Sequence, residues 1–164
     1  MLRIISSLVV VMFIGILPAS AQPSKASAGK VDMLGPYKLG SSFTELKDLP
    51  GFKYDSGRSD PEKGIKAGKI IDKNVYGQAT IQRLIFHKNK LVRVSIIIGD
   101  QNFTEEQAKA LVVKQWGDPG GKQKSGDNMI YMWTGSTGTI MILSADGGRQ
   151  MITLSDNDKT HYVE

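Results

Sequence analysis

From Ala79 to Ile98 the chain reads ATIQRLIFHKNKLVRVSIII, two runs of alternating side chains around a polar turn. A period of two is what a strand with one buried face requires, so this stretch is constrained to form a hairpin. A second run, NMIYMWTGSTGTIMILSADGGRQMITLSD, alternates in the same way and predicts three short strands. TGSTG and ADGG serve as its connections, because glycine and aspartate accept the positive φ of tight turns. A further strand around AGKIIDKNVYG precedes the first hairpin.

Before each alternating run the period becomes helical. In LGSSFTELKDLPGF, Ser42 stands three residues before Glu45, the spacing of a capping box. Leu46 and Leu49 share a face, and Pro50-Gly51 stops the helix after about two turns. In NFTEEQAKALVVKQWGDP, Thr104 and Gln107 repeat the box behind a staple residue, Phe103. Ala108, Leu111, Val112 and Gln115 follow at helical spacing, and Gly117 and Pro119 end the helix. The triplet Phe-Thr-Glu opens both segments, at 43–45 and 103–105. The expected fold is therefore α+β, with two tandem helix-then-antiparallel-meander units, 34–99 and 100–158. They would form one sheet with the helices packed on one face. Two unrelated helix starts sharing one capping solution would leave the same trace.

The first 21 residues, MLRIISSLVVVMFIGILPASA, have the charged start, apolar centre and small-residue end of a secretory signal peptide, with cleavage expected after Ala21. Residues 22–33 are small and polar and predict a flexible lead-in; 159–164 form a C-terminal tail. The chain contains no cysteine. An exported protein without cysteine must be held by its core alone, and thiol chemistry and thiolate metal sites are excluded. A periplasmic or secreted location is expected, with no membrane span after signal cleavage.

Charge is uneven. The formal net charge is +5, and residues 53–93 carry ten basic and four acidic side chains. Such a segment suits an anionic surface, cell-wall polymer or acidic protein face. A solvated, solubilising surface would have the same composition. KAGKIIDK lacks the aromatic interleaving of single-strand binders, so no nucleic acid is expected.

YKLGSSFTELKDL and NFTEEQAKALVVKQWGDP resemble the openings of the small outer-membrane assembly lipoproteins of the SmpA/OmlA (BamE) type. In layout the chain is also similar to the tandem β-lactamase inhibitor proteins, which repeat a related helix-then-meander unit twice. The resemblance implies a sheet with helices on one side and a protein that works by binding other proteins. The lipoprotein cysteine and the inhibitors' two cysteine pairs are absent, and no stretch matches the inhibitory loops. No functional residue is carried over.

Candidate partner-binding residues come from the strands. A two-residue turn at Lys88-Asn89 puts Arg83 with Val92 and Val94. A three-residue loop, Lys88 to Lys90, sorts the hairpin more cleanly. It gathers Leu84, Phe86, Val92, Val94 and Ile96 on one face, and Arg83, Ile85, His87, Leu91, Arg93 and Ser95 on the other. The longer loop is favoured, leaving a basic surface of Arg83, His87 and Arg93. Farther on, Met129, Tyr131 and Trp133 alternate with Ile130 and Met132, and either set can be the core one. Met, Tyr, Trp and Arg together have the composition of an interface, so Tyr131 and Trp133 join the candidate set.

Catalytic and metal motifs fail on spacing. His87 and His161 are too isolated to form a metal site, and no cofactor is implied. Glu105-Glu106 are adjacent on a helix and do not face each other; they sit where carboxylates complement the dipole. GDPGGKQKSG has Trp116 and Gln123 where a phosphate loop needs Gly and Ser or Thr. SDND lacks the glycine and distal Glu of a calcium loop. Ser144 and Ser155 have no base nearby in sequence. The expectation is a non-enzymatic exported module that binds an envelope or secreted protein. An enzyme inhibitor, or a small-ligand or lipid carrier with a helix–sheet pocket, is the alternative.

Overall fold

The computed structural model describes residues 29–126 and 128–158; residues 1–21, where a signal peptide is expected, residues 22–28, Asp127 and residues 159–164 with His161 lie outside the described residues. The elements run β1 (Met33–Leu34), β2 (Tyr37–Lys38), α1 (Phe43–Lys47), β3 (Phe52–Tyr54), β4 (Ile65–Val75), β5 (Gln78–His87), β6 (Lys90–Ile98), α2 (Glu105–Trp116), β7 (Gly121–Ser125), β8 (Asn128–Thr134), β9 (Gly138–Ser144) and β10 (Gln150–Asp156). The fold is α+β and dominated by antiparallel sheet. Eight strands form one sheet in the order β3-β4-β5-β6-β10-β9-β8-β7, while β1 and β2 pair separately.

Both helices start as their sequences dictate. Ser42 accepts from the Glu45 N–H while Glu45 accepts from the Ser42 N–H, and Thr104 and Gln107 do the same. The hydrogen bond from the Ser42 N–H, and then the Ser42 side chain, hold the Glu45 carboxyl below its ordinary pKa. Gly117, at φ 74°, closes α2 with its N–H on the Val113 carbonyl.

The core lies on one face of the sheet, beneath the helices. A single row of paired positions crosses all eight strands there: Phe52, Ile70, Gln82, Ile96, Ile152, Ile142, Tyr131 and Lys122. Phe43 of α1 meets Phe86 and Phe52 edge-on, at 5.1 and 5.9 Å between ring centres. Ala108 and Val112 of α2 pack into the same cluster beside Trp133, Ile140 and Ile142. The β1–β2 hairpin joins them, with Leu34 and Tyr37 at 0 and 1% exposure.

The chain enters the fold earlier than the composition of residues 22–33 implies. Val31 is buried, and a Cβ on Gly138 would lie 2.7 Å from its carbonyl oxygen. Only a glycine at the β8–β9 turn lets the two backbones approach this closely. Residues 29–33 are therefore part of the packed body rather than a lead-in.

The central hairpin differs from the favoured three-residue loop. His87 pairs with Lys90, so the turn is the two-residue Lys88-Asn89, with both residues at positive φ (48° and 63°). A bulge between Ile85 and Phe86 then absorbs one residue of β6, and beyond it Leu84 faces Val94. The pairing of Ile85 with Arg93 and Arg83 with Ser95 matches the longer loop. Leu91 moves into the core, and Val92 is buried outside the main cluster.

Candidate functional site

The second face of the sheet carries neither helix nor the β1–β2 hairpin. A row of paired positions crosses all eight strands here too: Lys53, Lys69, Arg83, Ser95, Thr153, Met141, Met132 and Gly121. Its first three members are cations on neighbouring strands. Toward the other end it becomes methionine. On one side runs an apolar row, Ile71, Ile81, Ile97, Met151 and Leu143. On the other run Ala67, Ile85, Arg93, Ser155 and Thr139.

Arg83 and Arg93 lie on this face as expected, and both are half-buried. They are diagonal neighbours, because Arg83 opposes Ser95 and Arg93 opposes Ile85. The Arg93 Nε donates to Ser155 Oγ at 3.1 Å, and the hydroxyls of Ser95 and Thr153 are 3.0 Å apart. A strip of three buried hydroxyls thus follows the junction of β6 with β10. His87 shares the face but is buried at the end of β5, beside Ile65 and Lys90.

Tyr131 and Trp133 are on the opposite face. Trp133 is 3% exposed, opposes Ile140, and donates its indole N–H to the Gly117 carbonyl at 2.8 Å. It anchors the end of α2 and belongs to the core. Tyr131 sits under the outer flank of α2 with the Lys109 ammonium 4.9 Å from its ring centre. Desolvation first, then the Glu105 and Glu106 charges, push its phenol above the ordinary range. The five candidates therefore split three to two between the faces. Met132, Met141 and Met151 lie on the second face instead. Sequence reading missed Lys53 and Lys69; only the pairing of β3 with β4, a three-residue strand with no alternation to read, brings them beside Arg83.

A groove of about 480 Å³ lies on the helix side, lined by Tyr76, Leu111, Lys114 and Gln115. Tyr76 holds an unusual φ of 58° in the β4–β5 turn, and its hydroxyl accepts from the Gly35 N–H at 2.9 Å. Among the described residues no cluster of three or more His, Asp or Glu gathers as a metal site, and no helix is long and apolar enough to cross a membrane.

The protein is α+β, with one face of its antiparallel sheet packed against the two α-helices. No family model, curated protein or solved structure matches the chain.

Proposed function

We propose that the protein is an exported, non-enzymatic binding module of the bacterial envelope, and that it docks an envelope or secreted protein on the helix-free sheet face. The observation that carries this reading is the second face itself. Ile, Met and Arg side chains run across the six inner strands there, most of them half-exposed, with the aromatic core sealed behind them.

The reading includes a duplicated ancestor. Each α-helix precedes four strands joined as a meander, and the last strands of the two sets, β6 and β10, meet antiparallel at the centre. Two copies related by a twofold axis through that junction would give this strand order. The repeated capping box and Phe-Thr-Glu triplet support the same history. The resemblance to the SmpA/OmlA-type lipoproteins and tandem inhibitor proteins is part of this proposal, and so are the signal peptide and the periplasmic or secreted location.

A photo-crosslinking side chain placed at Met141 tests the docking face in intact envelope, with one at Gln115 on α2 as control. A discrete protein adduct from position 141 and none from 115 is expected. Equal or absent labelling at the two positions removes the proposal.

The groove beside Tyr76 favours a second reading, a carrier for a small apolar ligand. Native mass spectrometry of the purified chain decides it, since a carrier retains a stoichiometric adduct that Leu111→Trp displaces.

A further inference from the structure

The apolar positions of the second face change chemistry from one half of the sheet to the other. On β4, β5 and β6 they include Ile71, Ile81 and Ile97; on β8, β9 and β10 they include Met132, Met141 and Met151. Strands favour β-branched and aromatic side chains, so an apolar surface by itself calls for isoleucine in both halves. Met132 opposes Met141 directly. Met151 stands diagonal to Met141, two residues before the Thr153 that Met141 opposes. All three methionines are half-buried and reach solvent. The chain has no cysteine, so thioether sulfur is the one soft metal ligand it contains.

We infer that Met132, Met141 and Met151 form a binding site for a soft monovalent metal ion of the copper(I) class. Thioethers select such an ion, whereas the harder divalent ions take carboxylate, carbonyl or water oxygen. Directly opposed residues hold their Cβ atoms about 4.5–5.5 Å apart, and diagonal neighbours lie about 7–8 Å apart. A methionine side chain has three rotatable bonds, which lets three sulfurs from neighbouring strands turn onto one ion between them. Gly121 of β7 opposes Met132, and the Met132 methyl lies over it, 3.3 Å from where a Cβ would stand. With no Cβ there, Met132 has space to repack between β7 and β9.

The surroundings suit a soft cation. Ile130, Leu143 and Ile97 border the three methionines on the same face. An apolar shell of this kind limits the access of water to a bound ion. The row of cations on this face, Lys53, Lys69 and Arg83, lies on β3 to β5 at the other end of the sheet. The site does not depend on the docking reading above, because a metal held by β8, β9 and β10 needs no partner protein.

The test is nuclear magnetic resonance of the full mature chain with isotope-labelled methionine methyls. The probe is silver(I), a redox-stable ion of the same charge and softness, followed by copper(I) kept reduced with ascorbate under argon. Zinc(II) is the comparison arm. Saturable, stoichiometric shifts of the Met132, Met141 and Met151 methyl signals are expected, with Met33 and Met129 unmoved and zinc(II) without effect. Met141→Leu with Met151→Leu conserves volume. It should lower silver(I) affinity by more than about tenfold, the least that losing even an outer-shell partner of a metal costs. Met132→Leu alone, expected to lower the affinity in the same direction, serves as the test if that pair does not fold. Absent or unsaturable shifts, equal shifts at Met33 and Met129, an equal response to zinc(II), or undiminished uptake by the leucine variants would overturn the inference.

Discussion

Tyr37 reaches from the β1–β2 hairpin to the Oε1 of Gln82, whose amide in turn donates to Thr80 Oγ1 at 2.8 Å. All three residues are at most 2% exposed, so each polar group depends on its neighbour. Burial pushes the Tyr37 phenol from 10.0 up to about 12. A raised phenol pKa means that the fold favours the neutral form. That stability is fully present below pH 10 and is lost as pH rises from 10 through 12. The shift corresponds to roughly 2–3 kcal/mol. Urea unfolding across this range should show a falling stability, and Tyr37→Phe should remove much of the slope; a flat wild-type profile would refute the assignment. Tyr76, also raised by desolvation, contributes in the same direction. Gly68 makes a different demand, because a Cβ there would overlap the Phe52 ring lying across it. Gly68→Ala should displace Phe52 from Phe43 and cost about 1–3 kcal/mol by thermal or urea unfolding. Neither feature is legible in the sequence. Gln82 occupies an inward position where alternation predicts an apolar residue, and its satisfaction comes from a tyrosine 45 positions away.

The capped helices are the elements most completely written in the chain. Thr104 begins a twelve-residue helix that packs Ala108 and Val112 into the core. Thr104→Ala should cost about 1 kcal/mol. Ser42 caps only five residues with none buried, so Ser42→Ala should cost less. Paired urea denaturation curves measure the difference, and equal losses would contradict it. The long strands were legible for the same reason as α2, a period sustained over enough residues to stand out. Tight turns and bulges are harder. Counting residues around Lys88-Asn89 favours a longer loop, because a short turn plus a bulge consumes the same total and leaves the same alternation upstream. β7 left no signal at all: GKQKS is an edge strand with both faces polar, placed only by its pairing with β8. The candidate site fared likewise. Arg83 and Arg93 were readable as facing one way, but the alternation in β8 runs through Met, Tyr, Trp and Ile on both sides. The choice there is made by α2, which needs an aromatic anchor at Gly117.

At the scale of the molecule the decisive contact is β6 with β10. It joins residues far apart in the chain, 58 positions for Ser95 with Thr153 and 62 for Arg93 with Ser155, and runs from Met151–Ile97 to Ser155–Arg93. The core does not stop there: Val94, Ile96, Ile152 and Leu154 are fully buried and belong to one continuous cluster reaching both helices. The N-terminal segment ties the same halves together, with Val31 against Gly138 and Gly35 hydrogen-bonded to Tyr76. Neither half can therefore close its core alone, even if each descends from one ancestral unit. Unfolding should be a single transition, seen identically by the fluorescence of Trp116 and Trp133 in one half and by resonances of β4 and β5 in the other. Ile152→Ala, which opens a cavity at the junction, should lower both reports together by about 2–5 kcal/mol. In native-state hydrogen exchange the amides of β6 and β10 should open last, with those of β3 and β7 at the sheet edges opening first. Two separated transitions, or an Ile152→Ala loss confined to the tryptophan signal, would show that the halves are independent domains sharing an edge.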